Sequence, residues 1–311
     1  MPSPLANLRD LLAYAATRSG HDRADRAVLA DLAVGAQELG LPPGVEVTWL
    51  GVAGFAITYE GTTVLIDPFV TRRPVGDLLR RRVWSSDSAL LDRHVPKADA
   101  ILLGHTHFDH ALDAPAIARR DGCTVFGGTS AAHLMGLHGL ADRAVTVEPH
   151  RVHEVGPFEF RFVPSVHSKL VLGRSVPSAG EITCEHLGGL TSQAYCCGQV
   201  WGIHISVAGR TFYHQGSADL LDDELRAAEV DYFLCGIAGR QVTERYLPRI
   251  LPRLSPRQVI VMHQDDFLRP LDATPGFAFG VDVAGFPDEV AAVTRDVGVG
   301  VLPLLEPLRG S

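Results

Sequence analysis

Three histidines and an aspartate crowd into the stretch GHTHFDH, residues 104–110. Imidazoles at alternate positions of an extended or turning segment can converge on one cation, while an Asp and a His at the turn into a helix can face a second. His105, His107, Asp109 and His110 offer nitrogen and oxygen donors without thiolate. That donor set suits zinc, with manganese or iron as harder alternatives.

The elements that must position these residues are legible on either side. The apolar run Ala100, Ile101, Leu102, Leu103 reads as a buried strand ending where the ligands begin. Behind the motif, Asp113, Ala114 and Pro115 look like a helix start and Gly122 its end. Val45, Val47 and Trp49 alternate with polar residues, and residues 55–59 and 63–66 pair about a Glu60–Gly61 turn to give a hairpin that ends in Asp67. Phe158, Phe160 and Phe162 form a half-buried strand that delivers His167. A second hairpin, residues 199–214 around Ala208–Gly209, leads to Gly216, Ser217 and Asp219, and the strand at 258–262 ends in His263. Residues 123–126 and 144–147 add short strands around a helix at 130–137, a β-α-β rhythm that places helices outside a sheet.

HTHFDH resembles the HxHxDH motif of the metallo-β-lactamase superfamily, and the elements around it follow in that family's order over residues 45–270. The short IDPF, HTHFDH, VHS and VMH elements are most like the branch containing ascorbate-6-phosphate lactonase and N-acylphosphatidylethanolamine phospholipase D type hydrolases. The resemblance implies an α/β (α+β) fold, an αββα sandwich, here with a helical extension over residues 1–44 and the main domain over 45–311. It also implies a ligand set: His105, His107 and His167 for one zinc, Asp109, His110 and His263 for another. Asp67 would support the metal-binding loop from behind, and Asp265 and Asp266 would orient His263. The implied reaction is metal-assisted hydrolysis of an ester, lactone or phosphodiester, with Asp109 as acceptor for the proton of the attacking water.

One position departs from the family pattern. Where Gly-Asp would supply a carboxylate bridging two metals, this chain has Gly216 followed by Ser217. A neutral hydroxyl brings no negative charge to offset repulsion between dications. Three outcomes are open: Asp219 replaces it, a water bridges with Ser217 behind it, or one metal binds tightly. A member of the family that binds metal with little hydrolysis is the alternative reading. A di-iron redox site would need a flavodomain, and no flavin motif is present.

Residues 169–193 carry little periodicity and follow a ligand directly, so they are expected to form a lid over the substrate, with Arg174 and His186 as its contact residues. Cys184 and His186 form a C-x-H pair, a weak metal signal, and His186 or His214 could protonate a leaving group. Helices are expected at 87–93, 222–228, 244–254 and 288–295, and a last strand at 300–304.

At 311 residues, 46% hydrophobic and 21% charged, the composition is that of an ordinary soluble globular chain. A formal charge of -8 argues against nucleic acid as a partner, despite a local run of arginines between 72 and 82. A small-molecule substrate is expected, with homo-oligomerisation left open. No apolar run approaches the roughly 20 residues of a membrane span and no leader pattern opens the chain, so the expected location is the cytoplasm. Five cysteines without CxxC spacing argue against a disulfide framework and a structural zinc finger, and adjacent Cys196 and Cys197 are expected on a strand. Before residue 45, Leu5, Leu8, Leu11, Leu12 and Ala15 form one amphipathic stripe and Val28, Leu29, Leu32, Ala33 and Leu39 another. Residues 19–22 separate them, with Asp22 as an N-cap.

Overall fold

Alternating apolar residues put one face of each strand into a shared core and leave the other for helices. The computed structural model describes residues 4–171 and 173–311, and of residues 4–15 the backbone alone. Its strands are β1 (Glu46–Gly51), β2 (Gly54–Tyr59), β3 (Thr62–Ile66), β4 (Ala100–Leu102), β5 (Thr124–Gly127), β6 (Ala144–Thr146), β7 (Val152–Val155), β8 (Phe158–Ser165), β9 (Val200–Val207), β10 (Arg210–Gln215), β11 (Tyr232–Gly236), β12 (Gln258–Met262), β13 (Gly298–Gly300) and β14 (Pro307–Arg309). They form two seven-stranded sheets, in the orders β14-β1-β2-β3-β4-β5-β6 and β13-β12-β11-β10-β9-β8-β7. Hairpins make the antiparallel pairs β1–β2, β2–β3, β7–β8 and β9–β10, the long 166–199 segment joins antiparallel β8 and β9, and crossovers run β3 to β4, β4 to β5, β10 to β11 and β11 to β12 parallel.

The sheets face each other across Trp49, Phe55, Ile57, Phe160, Phe162, Ile203, Ile205 and Phe212. The helices are α1 (Pro4–Asp31), α2 (Ala36–Leu39), α3 (Val75–Leu79), α4 (Ser88–His94), α5 (Phe108–Ala111), α6 (Ala114–Asp121), α7 (Thr129–Leu137), α8 (Tyr246–Leu254) and α9 (Phe286–Ala291). Leu91, Ile117 and Leu134 from α4, α6 and α7 cover the outer face of the first sheet. Ile250, Leu254, Phe286 and Val290 from α8 and α9 cover that of the second. The result is the αββα sandwich. Among the described residues, no helix is long and apolar enough to cross a membrane.

Several local expectations are corrected. Residues 19–22 do not break the N-terminal segment: α1 is one helix, and Asp22 caps nothing. Gly20 has open space where a side chain would be, so it costs only its intrinsic helix penalty of about 1 kcal/mol. The anchoring acid is Asp25, 1% exposed, whose Oδ1 accepts from the backbone N–H groups of Val283 and Ala284. Leu29 and Leu32 pack against the core outside the second sheet. The stripe from Leu5 to Ala15 lies outside the described side chains.

Residues 222–228 form turns instead of a helix. Glu224 and Leu225 N–H turn back on the Leu221 carbonyl, and then Ala228 N–H, followed by Val230 N–H, is drawn to the carbonyls of Arg253 and Leu254 at the end of α8. The last helix falls at α9, and no strand runs over 300–304: β13 ends at Gly300, Val301 and Leu304 make isolated bridges to Ala33 and Trp49, and β14 follows at 307–309. Cys196 and Cys197 precede β9 and lie on no strand; all five cysteines are free.

Candidate metal centre

Five strands end on the same side of the sandwich, and each hands on a residue of the centre. Asp67 follows β3, His105 follows β4, His167 follows β8, Gly216 follows β10 and His263 follows β12. Parallel crossovers return every chain to the same side, so loops from distant parts of the sequence meet there. One nitrogen or oxygen from each of His105, His107 and His167 lies within 4.8 Å of the others, as do those of Asp109, His110 and His263, and of Asp67, His105 and His110. The rings pack at centroid separations of 3.8 Å for His105 with His110, 4.8 Å for His107 with His167 and 5.4 Å for His110 with His263.

Hydrogen bonds behind the rings assign their tautomers. His107 donates Nε2–H to the carbonyl of Pro177 at 2.9 Å, leaving Nδ1 bare and 3.1 Å from His105 Nε2. His110 donates Nδ1–H to Asp67 Oδ2 at 2.7 Å, which turns Nε2 toward Asp109. His167 donates Nδ1–H to the carbonyl of Ser168 at 2.7 Å, freeing Nε2. His263 is held differently: its Nε2 lies 3.4 Å from Asp109 Oδ2, and its buried Nδ1 has no partner among the described residues.

Asp67 is wholly buried and sits at φ 41, where its second oxygen accepts from Gly104 N–H at 2.7 Å. That places the carboxylate between the turn carrying His105 and the ring of His110. The approach is close enough to require glycine: a side chain at Gly216 would meet Asp67 Oδ2 at 3.0 Å and His110 Cε1 at 3.3 Å.

Electrostatics agree with a cation-binding role. Burial, reinforced by the neighbouring imidazoles, holds His105 well below the ordinary histidine value, and burial pushes His167 down to about 3. Those rings are neutral near pH 7 and present lone pairs. Burial raises the carboxyl of Asp109, but His110 and the hydrogen bond from His263 outweigh it and hold the group well below the carboxylate range. Five imidazoles and the Asp109 carboxylate, with no thiolate among them, make a donor set that fits a divalent metal.

Other sequence candidates are not brought to this cluster. Asp219 is engaged by Arg249 at 3.0 Å. Ser217 donates its hydroxyl to the carbonyl of Val166, one residue before His167, so it braces the backbone of that ligand. Asp265 does not reach the His263 ring; it accepts from Val52 N–H at 2.9 Å and pairs with Arg72. His263 stands at φ 62, which turns the following residues away from the metal side, and its own N–H is held by the Val52 carbonyl. Asp266 caps the turn at Leu268. His214 is fully buried, with Nε2 on the Ala53 carbonyl, so it is no proton donor to a leaving group. Arg174 and His186 are exposed, and Cys184 with His186 joins no ligand group among the described residues. Sequence reasoning missed Pro177, whose carbonyl fixes the His107 tautomer. It also missed Phe267, which packs edge to face on His263, and Phe108, tilted against Phe267 and edge to face with Trp84.

An αββα sandwich whose strand ends gather histidines and an aspartate defines a metal-dependent hydrolase of the metallo-β-lactamase fold. The family description "Beta-lactamase superfamily domain" matches residues 46–263, and the chain belongs to that superfamily. Similar curated proteins are named metal-dependent hydrolases. That of Carboxydothermus hydrogenoformans is 29% identical over 226 residues, covering 70% of this chain and 84% of its own. That of Pyrococcus furiosus is 30% identical, covering 74% and 89%. Among solved structures, the metallo hydrolase Igni18 from Ignicoccus hospitalis overlays with a TM-score of 0.53 at 19% identity, covering 85% of this chain and 97% of its own. CmlA from Streptomyces venezuelae, a diiron β-hydroxylase, overlays at 0.56 and 16% identity, covering 86% and 55%. These two likenesses concern the fold.

Proposed function

We propose that the chain hydrolyses an ester, lactone or phosphodiester bond of a small cytoplasmic molecule, with zinc as its metal. The observation that carries this reading is the convergence of bare imidazole nitrogens described above. His105, His107 and His167 would hold one ion, and Asp109, His110 and His263 a second. A divalent cation so held supplies Lewis acidity and lowers the pKa of water to about 7.

The residues of the chain do the remainder. Asp109, kept ionised by His110 and His263, is the proton acceptor within the cluster. Asp67 fixes the direction of His110 through a bond too buried to exchange with water. The segment 169–193 acts as a lid, anchored to the centre where the Pro177 carbonyl accepts from His107. Phe108 and Phe267, both half-buried, form an apolar wall for the substrate's non-reacting part. The N-terminal extension docks on the main domain through Asp25, Leu29 and Leu32, away from the metal centre, and takes no part in the chemistry.

Two features weaken the second metal position. Ser217 supplies no bridging carboxylate, and His263 lacks, among the described residues, the outer hydrogen bond that steadies His107, His110 and His167. Elemental analysis of protein purified without added metal tests both. Wild type is expected to hold one ion firmly and the second in substoichiometric amount, and Ser217→Asp to raise the content toward two, with turnover of generic ester and phosphodiester substrates in both. No metal and no turnover in either protein would sink the proposal.

A further inference from the structure

Beside α8, the outer face of the second sheet is open over β8, β9 and β10, and a groove of about 330 Å³ lies there. The residues that line it include no member of the metal centre. Its floor is one cross-strand row. Arg161 stands opposite His204, and His204 opposite Tyr213. All three point outward, because their neighbours Phe160, Phe162, Ile203, Ile205 and Phe212 fill the core between the sheets. Directly opposite residues on adjacent strands stand about 5 Å apart, so Arg161 and His204 are gathered within the span of one small molecule, while the buried Tyr213 ring, its hydroxyl over Gly202, closes the floor beside them.

The chemistry of the row is that of a receptor for negative charge. Arg72, Arg120, Arg240 and Arg249 each bond to a carboxylate. Arg161, partly buried at the groove floor, has no carboxylate or hydrogen-bond acceptor among the described residues. In a chain with formal charge -8 an arginine left without a counter-ion in a concavity is out of keeping with its surroundings. Burial, with Arg161 beside it, pushes His204 down to about 4, so it adds an N–H donor rather than a second charge. Tyr213 is fully buried with its hydroxyl over Gly202, so it walls the groove with its ring. The one acid at the rim, Glu224, is engaged by His150 at 2.8 Å. Leu225 and Leu254 supply apolar walls, and the volume is that of an ordinary small-molecule site.

We propose that this groove is a second ligand site, separate from the metal centre, for a small molecule bearing a phosphate or carboxylate on an apolar body. Arg161 binds the anion through charge-assisted hydrogen bonds, His204 completes its contacts, and the leucines take the apolar part.

Calorimetric titration of the metal-loaded wild-type protein with inorganic phosphate and with phenylphosphonate, which the enzyme cannot hydrolyse at a P–O ester, tests the site. Both should bind saturably, phenylphosphonate at least threefold tighter. His105→Ala, which disables the metal centre, should leave this binding in place, and Arg161→Gln should weaken it at least tenfold with an unchanged melting curve. Should Arg161→Gln fold poorly, His204→Gln serves instead, with an expected loss of at least threefold. Binding abolished by His105→Ala and untouched by Arg161→Gln would assign the anion to the metal centre and overturn the proposal, as would no binding by wild type. Equal affinity for the two probes would overturn the apolar part of the ligand class.

Discussion

Asp67 converges with His105 and His110 in one of the three ligand groups, and it controls two things at once: the ring of His110 and the turn at Gly104. Replacing it by Asn keeps the shape and an acceptor for Gly104 N–H, and Asn tolerates the left-handed backbone at φ 41. It removes the charge that makes His110 Nε2 a strong donor. Asp67→Asn should therefore lower affinity for the second metal by about 10- to 100-fold, with a parallel fall in turnover and little change in circular dichroism. Metal content and activity at fixed free zinc read both.

A second residue-scale expectation concerns acid. His204 titrates near 4 in the folded chain and near 6.5 when unfolded. As pH falls through that window the unfolded chain takes up a proton that the folded chain refuses, so stability drops and then levels off below about 4. Denaturant midpoints of His204→Gln should fall less steeply than wild type between those values and run parallel to it above neutrality. The types of these residues were legible in the sequence, because histidines at alternate positions announce themselves. Partners were not: neither the Arg249 grip on Asp219 nor the Val52 grip on Asp265 leaves a trace in local spacing.

At the scale of elements, the centre is a property of strand ends. Each apolar run ended where its ligand began, so β3, β4, β8 and β12 could be read with their cargo, and alternation of phenylalanines gave β8 its inward face. Segments whose backbone bonds run to distant partners were misread, as at 222–228, where the end of α8 takes the donors that a helix would have used. The 169–193 segment, read as an irregular loop, is likewise held by distant partners. Ser130, at the start of α7, accepts from Ile182 N–H at 2.8 Å and donates to Glu181, while Ser178 and Gly180 carbonyls accept from Cys197 and Gly198. Ser130→Ala leaves a buried N–H without a partner, a local cost of about 1–3 kcal/mol. Limited proteolysis should then cut within 169–193 several-fold faster, and KM should rise more than kcat falls, since the Pro177 carbonyl that orients His107 rides on the same loop. Unchanged cutting would mean that Ser130 does not hold the loop.

For the molecule as a whole, α1 ties the chain's beginning to the part that closes it. Its docking onto residues beyond β12 was not legible, because an amphipathic stripe says that a helix packs and does not say on what, and Asp25 looked like one more surface acid in a charged helix. In the fold it is the most buried polar residue of that helix whose partners are known, bonded to two successive backbone N–H groups at 2.9 and 2.8 Å. Burial outweighs those bonds and raises its pKa above the ordinary 3.8. A carboxyl so raised favours folding most when protonated, so its contribution is present below the unfolded value and declines as pH rises through the folded one. Above that range the two hydrogen bonds must offset an ionised group in a dry place. Asp25→Asn retains an acceptor without the charge, whereas Asp25→Ala leaves two N–H groups bare. The expected order of stability at pH 7 is Asn equal to or above wild type, and Ala below it by about 1–3 kcal/mol per unpaired donor at most, read as a shift in denaturant midpoint at constant slope. Because Val283 and Ala284 are separated from the metal centre by the second sheet's outer core, the Ala variant should keep its metal content. Metal lost together with stability would mean that the extension and the catalytic face unfold as one unit.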